Sequence, residues 1–186
     1  MRLLFIGPPG AGKGTQAARV ADRLGIPHIS TGDMFRHHVS NGTELGAKVE
    51  AIMAAGDYVP DEITVAMLQQ RIAEPDAEPG FILDGFPRTV VQVEALDNLI
   101  GKDGLDSVVV FSVDDDELVE RMLSRGRADD TAETIRNRFQ VYQDLTQPLL
   151  DVYEARGVTV SVDGLGEMDE VTDRIVDALQ PPATLS

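Results

Sequence analysis

The 186-residue sequence predicts one α/β domain, a parallel β-sheet sandwiched by helices. Three observations carry that prediction. Short apolar, β-branched runs recur along the chain, and each is separated from the next by a longer stretch with helical spacing. Strand and helix alternating in this way build a parallel sheet, because the crossover helices cover both of its faces. No Pro/Gly/Ser-rich linker or internal repeat divides the chain, which is long enough to bury one full core.

The first run, "RLLFIG" from Arg2, leads directly into "GPPGAGKGT" (residues 7–15) and then into the helical pattern "TQAARVADRL". A Gly-rich turn between a strand and a helix is the setting of a phosphate-binding loop. Gly7, Gly10, Gly12 and Gly14 let successive backbone N–H groups turn toward one anion at a helix N-terminus, and Lys13 supplies charge for terminal phosphates. The pattern G-x-x-x-x-G-K-S/T places a magnesium-binding hydroxyl after the lysine, but here that residue is Gly14, followed by Thr15. No side chain at position 14 can ligate the metal.

The second run, "IPHIS", is followed over residues 31–60 by two helical patterns with a break at Gly56-Asp57, a small helical excursion on the rim of the sheet. Pro60-Asp61-Glu62 marks the next helix start. The third run, "GFILDG", brings Asp84 to a strand end. There its carboxylate suits a magnesium ion held through its tightly bound waters, and it suits equally a turn role before Gly85. The fourth run, "SVVVFSV", precedes two helices whose starts are marked by Asp114 with Glu117 and by Asp130 with Glu133, both spaced as capping boxes. The segment between those helices, "SRGRADD" (124–130), is a polar loop expected to be a mobile flap. The fifth run, "VTVSVD", precedes the last helix, and the tail "PPATLS" is expected to fray.

With 16 basic against 32 acidic residues the formal charge is -16, a field that repels polyanions. A nucleic-acid polymer or an anionic membrane is therefore not an expected partner, and any phosphate must be caught by a local cluster of positive charge. Cys is absent, which removes disulfides and Cys-based zinc sites. No apolar stretch has the length of a signal-peptide core or a membrane span. A cytoplasmic monomer is the default expectation, since no exposed apolar face stands out. His28, His37 and His38 lack metal-ligand spacing with a carboxylate partner and read as strand or surface residues, and the dispersed Met residues read as core filler.

Arg36 in "STGDMFR" and Arg88 in "LDGFPR" both follow a strand's C-terminal end, the edge where ligands collect in an open parallel sheet. Arg121 and Arg125 lie i and i+4 on one helix face, Arg127 sits in the flap, and Arg138 lies on the following helix. Asp129 and Asp130 are candidate partners for Arg125 and Arg127. Six arginines placed around one phosphate loop point to a reaction between phosphates.

The segments "GPPGAGKGT", "STGDMFR", "GDYVPDEI", "GFILDGFPRTVVQ" and "SRGRADDTAETIRNR", in this order and spacing, resemble the adenylate kinases in their bacterial short-lid form, from Arg2 to about Asp177. The resemblance implies a P-loop NTPase-type sheet and reversible transfer of the terminal phosphoryl group of Mg-ATP to AMP, by direct in-line displacement. It divides the domain 1–186 into a core of 1–29, 60–123 and 131–180, an NMP-binding segment of 30–59, a short lid of 124–130 and the tail 181–186. ATP is expected against Gly10, Ala11, Gly12, Lys13, Gly14 and Thr15, with Arg125 close by and Gly166 near the adenine. AMP is expected against Thr31, Arg36, Asp57, Tyr58, Val59, Gly85, Phe86, Pro87, Arg88 and Gln92, with Arg127 and Arg138 reaching its side of the transferred phosphate. Arg121 matches a lid-helix arginine of the family. The short lid has no Cys cluster, so the zinc-stabilised lid of some relatives is not expected. Tyr58 stands where the family more usually has an aliphatic residue.

AMP carries a second phosphate pKa of about 6 and arrives mostly as the dianion, so no general base is required. Lys13, magnesium and the arginines offset the repulsion between two polyphosphates, and catalysis reduces to positioning and electrostatic stabilisation. The base is less determined. The Gln92 amide suits the adenine N1/N6 edge, cytosine presents the same order, and an unanchored amide can flip to suit other bases. Thr31 and Thr89 favour the adenylate kinases, since UMP/CMP kinases usually carry Ala and Asn there. Other readings are a kinase for a sugar-like alcohol, which would need a hydroxyl-activating group, and a nucleotide sensor, which would not need so many arginines. A GTPase-like switch would need the missing hydroxyl at position 14.

Overall fold

The computed structural model describes residues 1–127 and 130–179. Ala128 and Asp129 of the expected flap, and the expected frayed tail 181–186, lie outside the described residues. All five apolar runs form strands: β1 (Arg2–Ile6), β2 (His28–Ser30), β3 (Phe81–Asp84), β4 (Ser107–Ser112) and β5 (Thr159–Asp163). They make one sheet in the order β2-β3-β1-β4-β5, every neighbouring pair parallel. The register sets Phe5 opposite Asp84 and Ser30 opposite Asp84, so the phosphate loop, Thr31 and Gly85 all leave the sheet at one edge. The connection leaving β1 runs to the β2 side of the sheet and the one leaving β4 runs to the β5 side, so a crevice opens between these neighbouring strands at their C-termini.

Alternation along β1 divides the core into two layers. Leu4 and Ile6 join Leu83 and Phe86 beneath α4 (Asp61–Ile72), α5 (Val90–Ile100) and α8 (Leu149–Ala155), with Leu68, Leu96 and Tyr153 completing the layer. Leu3 and Phe5 join Ile82, Val109 and Phe111 beneath α1 (Lys13–Leu24), α6 (Asp115–Ser124) and α9 (Met168–Leu179), packing on Val20, Leu118 and Ile175. From Leu3 to Ile6 β1 is apolar without a break because both of its faces are covered. Truncating such a residue, Leu4→Ala for example, costs about 2–5 kcal/mol.

The helical excursion is α2 (Thr31–Ser40) and α3 (Glu44–Ala55), and it carries its own small core of Phe35, Val49, Val59 and Met67. The two helices approach so closely that a Cβ on Gly46 would lie 2.2 Å from the His38 carbonyl oxygen. Helix α3 ends at Gly56, whose φ of 83° is left-handed, so the expected break is a glycine C-cap.

Two helix starts differ from the capping-box reading. Asp114 precedes α6 without making a side-chain cap bond. Helix α7 (Ala132–Val141) is capped by Thr131, which accepts from the Thr134 N–H, and not by Asp130. The reason is electrostatic, since the Asp130 carboxylate is taken by two arginines. Beyond α7 the chain continues in a π-helical turn, Tyr142–Thr146, that the apolar spacing does not announce.

Candidate active site

Loop residues 7–12 rise from β1 and turn at Gly10 and Gly12, whose φ values of 84° and 86° are left-handed. A Cβ on Gly10 would lie 2.6 Å from the Leu118 carbonyl oxygen, so this position accepts only glycine. Helix α1 begins at Lys13 with no side-chain cap at Gly12, which leaves its first-turn N–H groups open to an anion. Lys13 Nζ folds back to donate to the carbonyls of Gly7 at 2.8 Å and Pro8 at 3.0 Å. Burial, reinforced by the charges of Arg88, Arg125 and Arg127 and only partly offset by Asp84, lowers its pKa to about 8.

The open slot at position 14 has a geometric reason. A Cβ on Gly14 would lie 3.3 Å from Asp84 Oδ2, so the glycine makes room for a carboxylate arriving from β3. Asp84 is 8% exposed, and His28 Nε2 lies 3.3 Å from its Oδ2. His28 therefore does have a carboxylate partner, one that its distance in sequence conceals. Burial raises the Asp84 pKa, but the His28 hydrogen bond and the charges of Lys13 and Arg88 outweigh it, and the net shift is downward. Among the described residues no side chain donates to Oδ1, and no cluster of three His, Asp or Glu side chains forms a metal cage. An ionised carboxylate with a free oxygen fits a magnesium ion that arrives with its nucleotide and keeps its waters.

A cleft of about 800 Å³ opens over the loop, and Lys13 with all six arginines of the sequence reading lines it. Arg125 donates from Nε and a terminal nitrogen to Asp130 at 2.6 and 2.8 Å, and Arg138 donates to the same carboxylate at 2.6 Å. Asp130 thus pairs with Arg125 and Arg138; its expected pairing with Arg127 does not form. Arg36 pairs with Asp33. Arg121 donates to Glu117 at 2.9 Å and to the Gly164 carbonyl at 3.2 Å, which ties α6 to the loop carrying Gly166. Burial, then the charges of Arg36 and Arg125, lower the pKa of Arg127, the mark of a site crowded with positive charge.

At the far end Thr31, Asp57, Tyr58, Val59, Gly85, Pro87, Arg88 and Gln92 line the same cleft. Phe86 is the exception, its side chain 1% exposed within the core. The Thr31 hydroxyl donates to the Gly85 carbonyl at 2.8 Å, and Arg88 Nε donates to it at 2.7 Å. Gln92 is 2% exposed, with Oε1 accepting from the Arg88 N–H and Nε2 donating to Asp61 Oδ1, both at 2.8 Å. The amide is therefore anchored at both ends, unlike the freely flipping group that the sequence allows. Thr146 and Tyr142, from the π-helical turn, also line the cleft. Sequence reasoning misses both, because a π-turn has no apolar period of its own.

Fold and cleft define a nucleotide-binding protein of the phosphate-loop class. The adenylate kinase family model matches residues 5–158. The chain is 53% identical over 181 residues to an adenylate kinase of Nocardia farcinica, covering 96% of this chain and 99% of that protein. It is 55% identical to an adenylate kinase of a Nocardioides species, covering 96% and 97%, and 52% identical to that of Kocuria rhizophila, covering 96% and 98%. The chain belongs to the adenylate kinase family. No helix among the described residues is long and apolar enough to cross a membrane.

Proposed function

We propose that the cleft holds ATP and AMP end to end, the donor on the phosphate loop and the acceptor against Gln92, with Lys13 and the arginines at the junction. The reaction is reversible transfer of the terminal phosphoryl group of ATP to AMP, giving two ADP, and it serves adenine nucleotide homeostasis. The convergence of Lys13 and six arginines on one cleft, in a chain of charge -16, carries this reading.

Residues 10–15 bind the ATP phosphates through backbone N–H groups, and Lys13 Nζ turns from the Gly7 and Pro8 carbonyls to the terminal phosphates. Arg36 and Arg88 hold the AMP phosphate in paired hydrogen bonds suited to their planar forks. Arg125, Arg127 and Arg138 meet the transferring group, which requires Arg125 and Arg138 to exchange Asp130 for phosphate oxygens. Arg121 joins the catalytic arginines from its helix, tied to the Gly164 carbonyl, and Gly166 lies near the ATP adenine. Asp84 would hold a magnesium ion arriving with ATP, through the ion's waters, and that ion would supply neutralisation of phosphate charge. Segments 30–59 and 124–130 act as the NMP-binding arm and the lid, closing on the core to exclude water. The protein works as a monomer.

Phosphorus NMR of the purified protein with Mg-ATP and, separately, AMP, CMP, UMP or no acceptor tests this reading. ADP forming rapidly and only with AMP, and AMP and ATP forming from ADP alone, is the expected result. Transfer to CMP or UMP in preference to AMP overturns the assignment of the acceptor, and ATP binding without transfer overturns the mechanism.

A further inference from the structure

We propose that Asp61 determines acceptor specificity by acting through Gln92: it fixes the polarity of the amide and so excludes bases whose edge runs donor to acceptor. The inference rests on the reading above that Gln92 meets the acceptor base. Asp61 opens α4 and contributes nothing to the wall of the cleft, but its Oδ1 accepts from Gln92 Nε2 at 2.8 Å and from the Thr89 hydroxyl at 3.0 Å. Thr89 in turn caps α5 by accepting from the Gln92 N–H. The three side chains form a closed set in which every proton is assigned. The Arg88 N–H can only donate, so the amide atom facing it is Oε1, and a carboxylate can only accept, so the atom facing Asp61 is Nε2.

A primary amide has two N–H groups and two carbonyl lone pairs. One of each is used internally, and the remaining N–H and lone pair are left for the cleft. They match a ring nitrogen that accepts beside an exocyclic amine that donates, the N1/N6 edge of adenine. Hypoxanthine, guanine and uracil present the reverse, a ring N–H beside a carbonyl. Turning the amide to meet them would set Nε2 against the Arg88 N–H and Oε1 against the Asp61 carboxylate. Neither contact can relax, because one partner is backbone and the other is held by Thr89. Cytosine keeps the adenine polarity, so this device does not exclude it.

The discriminating probe is IMP, which matches AMP in size and differs at this edge. The ratio of kcat/KM for AMP over IMP, with Mg-ATP as donor, is measured for the wild type, Asp61→Ala, Asp61→Asn and Gln92→Leu. In Asp61→Ala a water takes the carboxylate's place and can donate or accept, so the ratio is expected to fall at least about tenfold, the scale of one hydrogen bond to a charged partner. Asp61→Asn can turn its own amide to present an N–H in place of the accepting oxygen, so it too is expected to lower the ratio, though by less than Asp61→Ala because the Thr89 hydroxyl still favours an oxygen there. Asp61→Ser, whose hydroxyl also lacks a fixed polarity, carries the same expectation as Asp61→Ala should that variant not fold. If Gln92→Leu lowers the ratio and the Asp61 variants do not, Asp61 has no such role while Gln92 still reads the base. If Gln92→Leu itself leaves the ratio unchanged, the reading of Gln92 as the base contact fails, and the proposal with it.

Discussion

The Arg88 guanidinium lies 4.9 Å from the centre of the Tyr58 ring, and a hydrogen-bonded relay runs beside that contact. The Tyr58 hydroxyl is 2.8 Å from Thr146 Oγ1, which donates to the Arg88 carbonyl at 2.9 Å. Tyr58, standing where the family more usually has an aliphatic residue, here supports both the side chain and the main chain of Arg88. Cation–π contacts contribute about 0.5–2 kcal/mol according to their exposure, so Tyr58→Leu should raise KM for AMP about three- to tenfold with kcat little changed. Tyr58→Phe keeps the ring and should raise it less. Equal KM values in both variants and the wild type, from initial rates at saturating ATP, would remove Tyr58 from the site.

Lys13 should give the binding of ATP a pH dependence. Its pKa of about 8 in the free protein, set by burial, should rise when phosphate charge is brought beside the ammonium. Below pH 8 the ammonium is already formed and binding takes up no proton through it. Above pH 8 the free protein has lost that proton, and binding must recover it, so affinity falls up to about tenfold per pH unit. Calorimetric titration of Mg-ATP at pH 7 and pH 9, in buffers of different ionisation enthalpy, should show proton uptake only at the higher pH.

Asp130 holds Arg125 and Arg138 with a side chain only 1% exposed. Asp130→Ala removes the buried carboxylate that the two arginines share and should destabilise the free protein by about 3 kcal/mol at neutral pH. Burial raises the pKa of this carboxyl, but the hydrogen bonds and charges of Arg125 and Arg138 prevail, and its net shift is downward. Its contribution is complete above the unfolded-state value of about 3.9 and is lost as pH falls through the lower folded-state value. Urea unfolding from pH 6 to pH 3 should show the gap between variant and wild type closing at the acid end.

Gly14 gives Asp84 its place beside the loop, with only 3.3 Å between a Cβ at that position and Oδ2. Gly14→Ala should push the carboxylate aside and lower kcat about ten- to a hundredfold, the scale of losing one preorganised electrostatic group. The magnesium concentration for half-maximal rate should rise, while the thermal midpoint stays close to the wild type. A variant with unchanged magnesium dependence would show that Asp84 has no part in holding the ion.

The sequence alone determined the strands, the phosphate loop and the identity of the arginines. The reason is range: a strand-loop-helix turn with left-handed glycines at 10 and 12 is decided by residues adjacent in the chain, and the apolar runs declare the buried sheet directly. Arg36 and Arg88 were legible because strand ends in a parallel sheet share one edge. Tertiary structure alone decided how the side chains pair. Gln92 is anchored by Asp61, 31 residues away, and Asp84 meets His28 across 56 residues. Asp130 left its expected capping place to Thr131 because two arginines brought near it by folding bind a carboxylate more strongly than a helix N-terminus does. Such pairings depend on sheet register and on how helices sit on the sheet, and no local pattern encodes them.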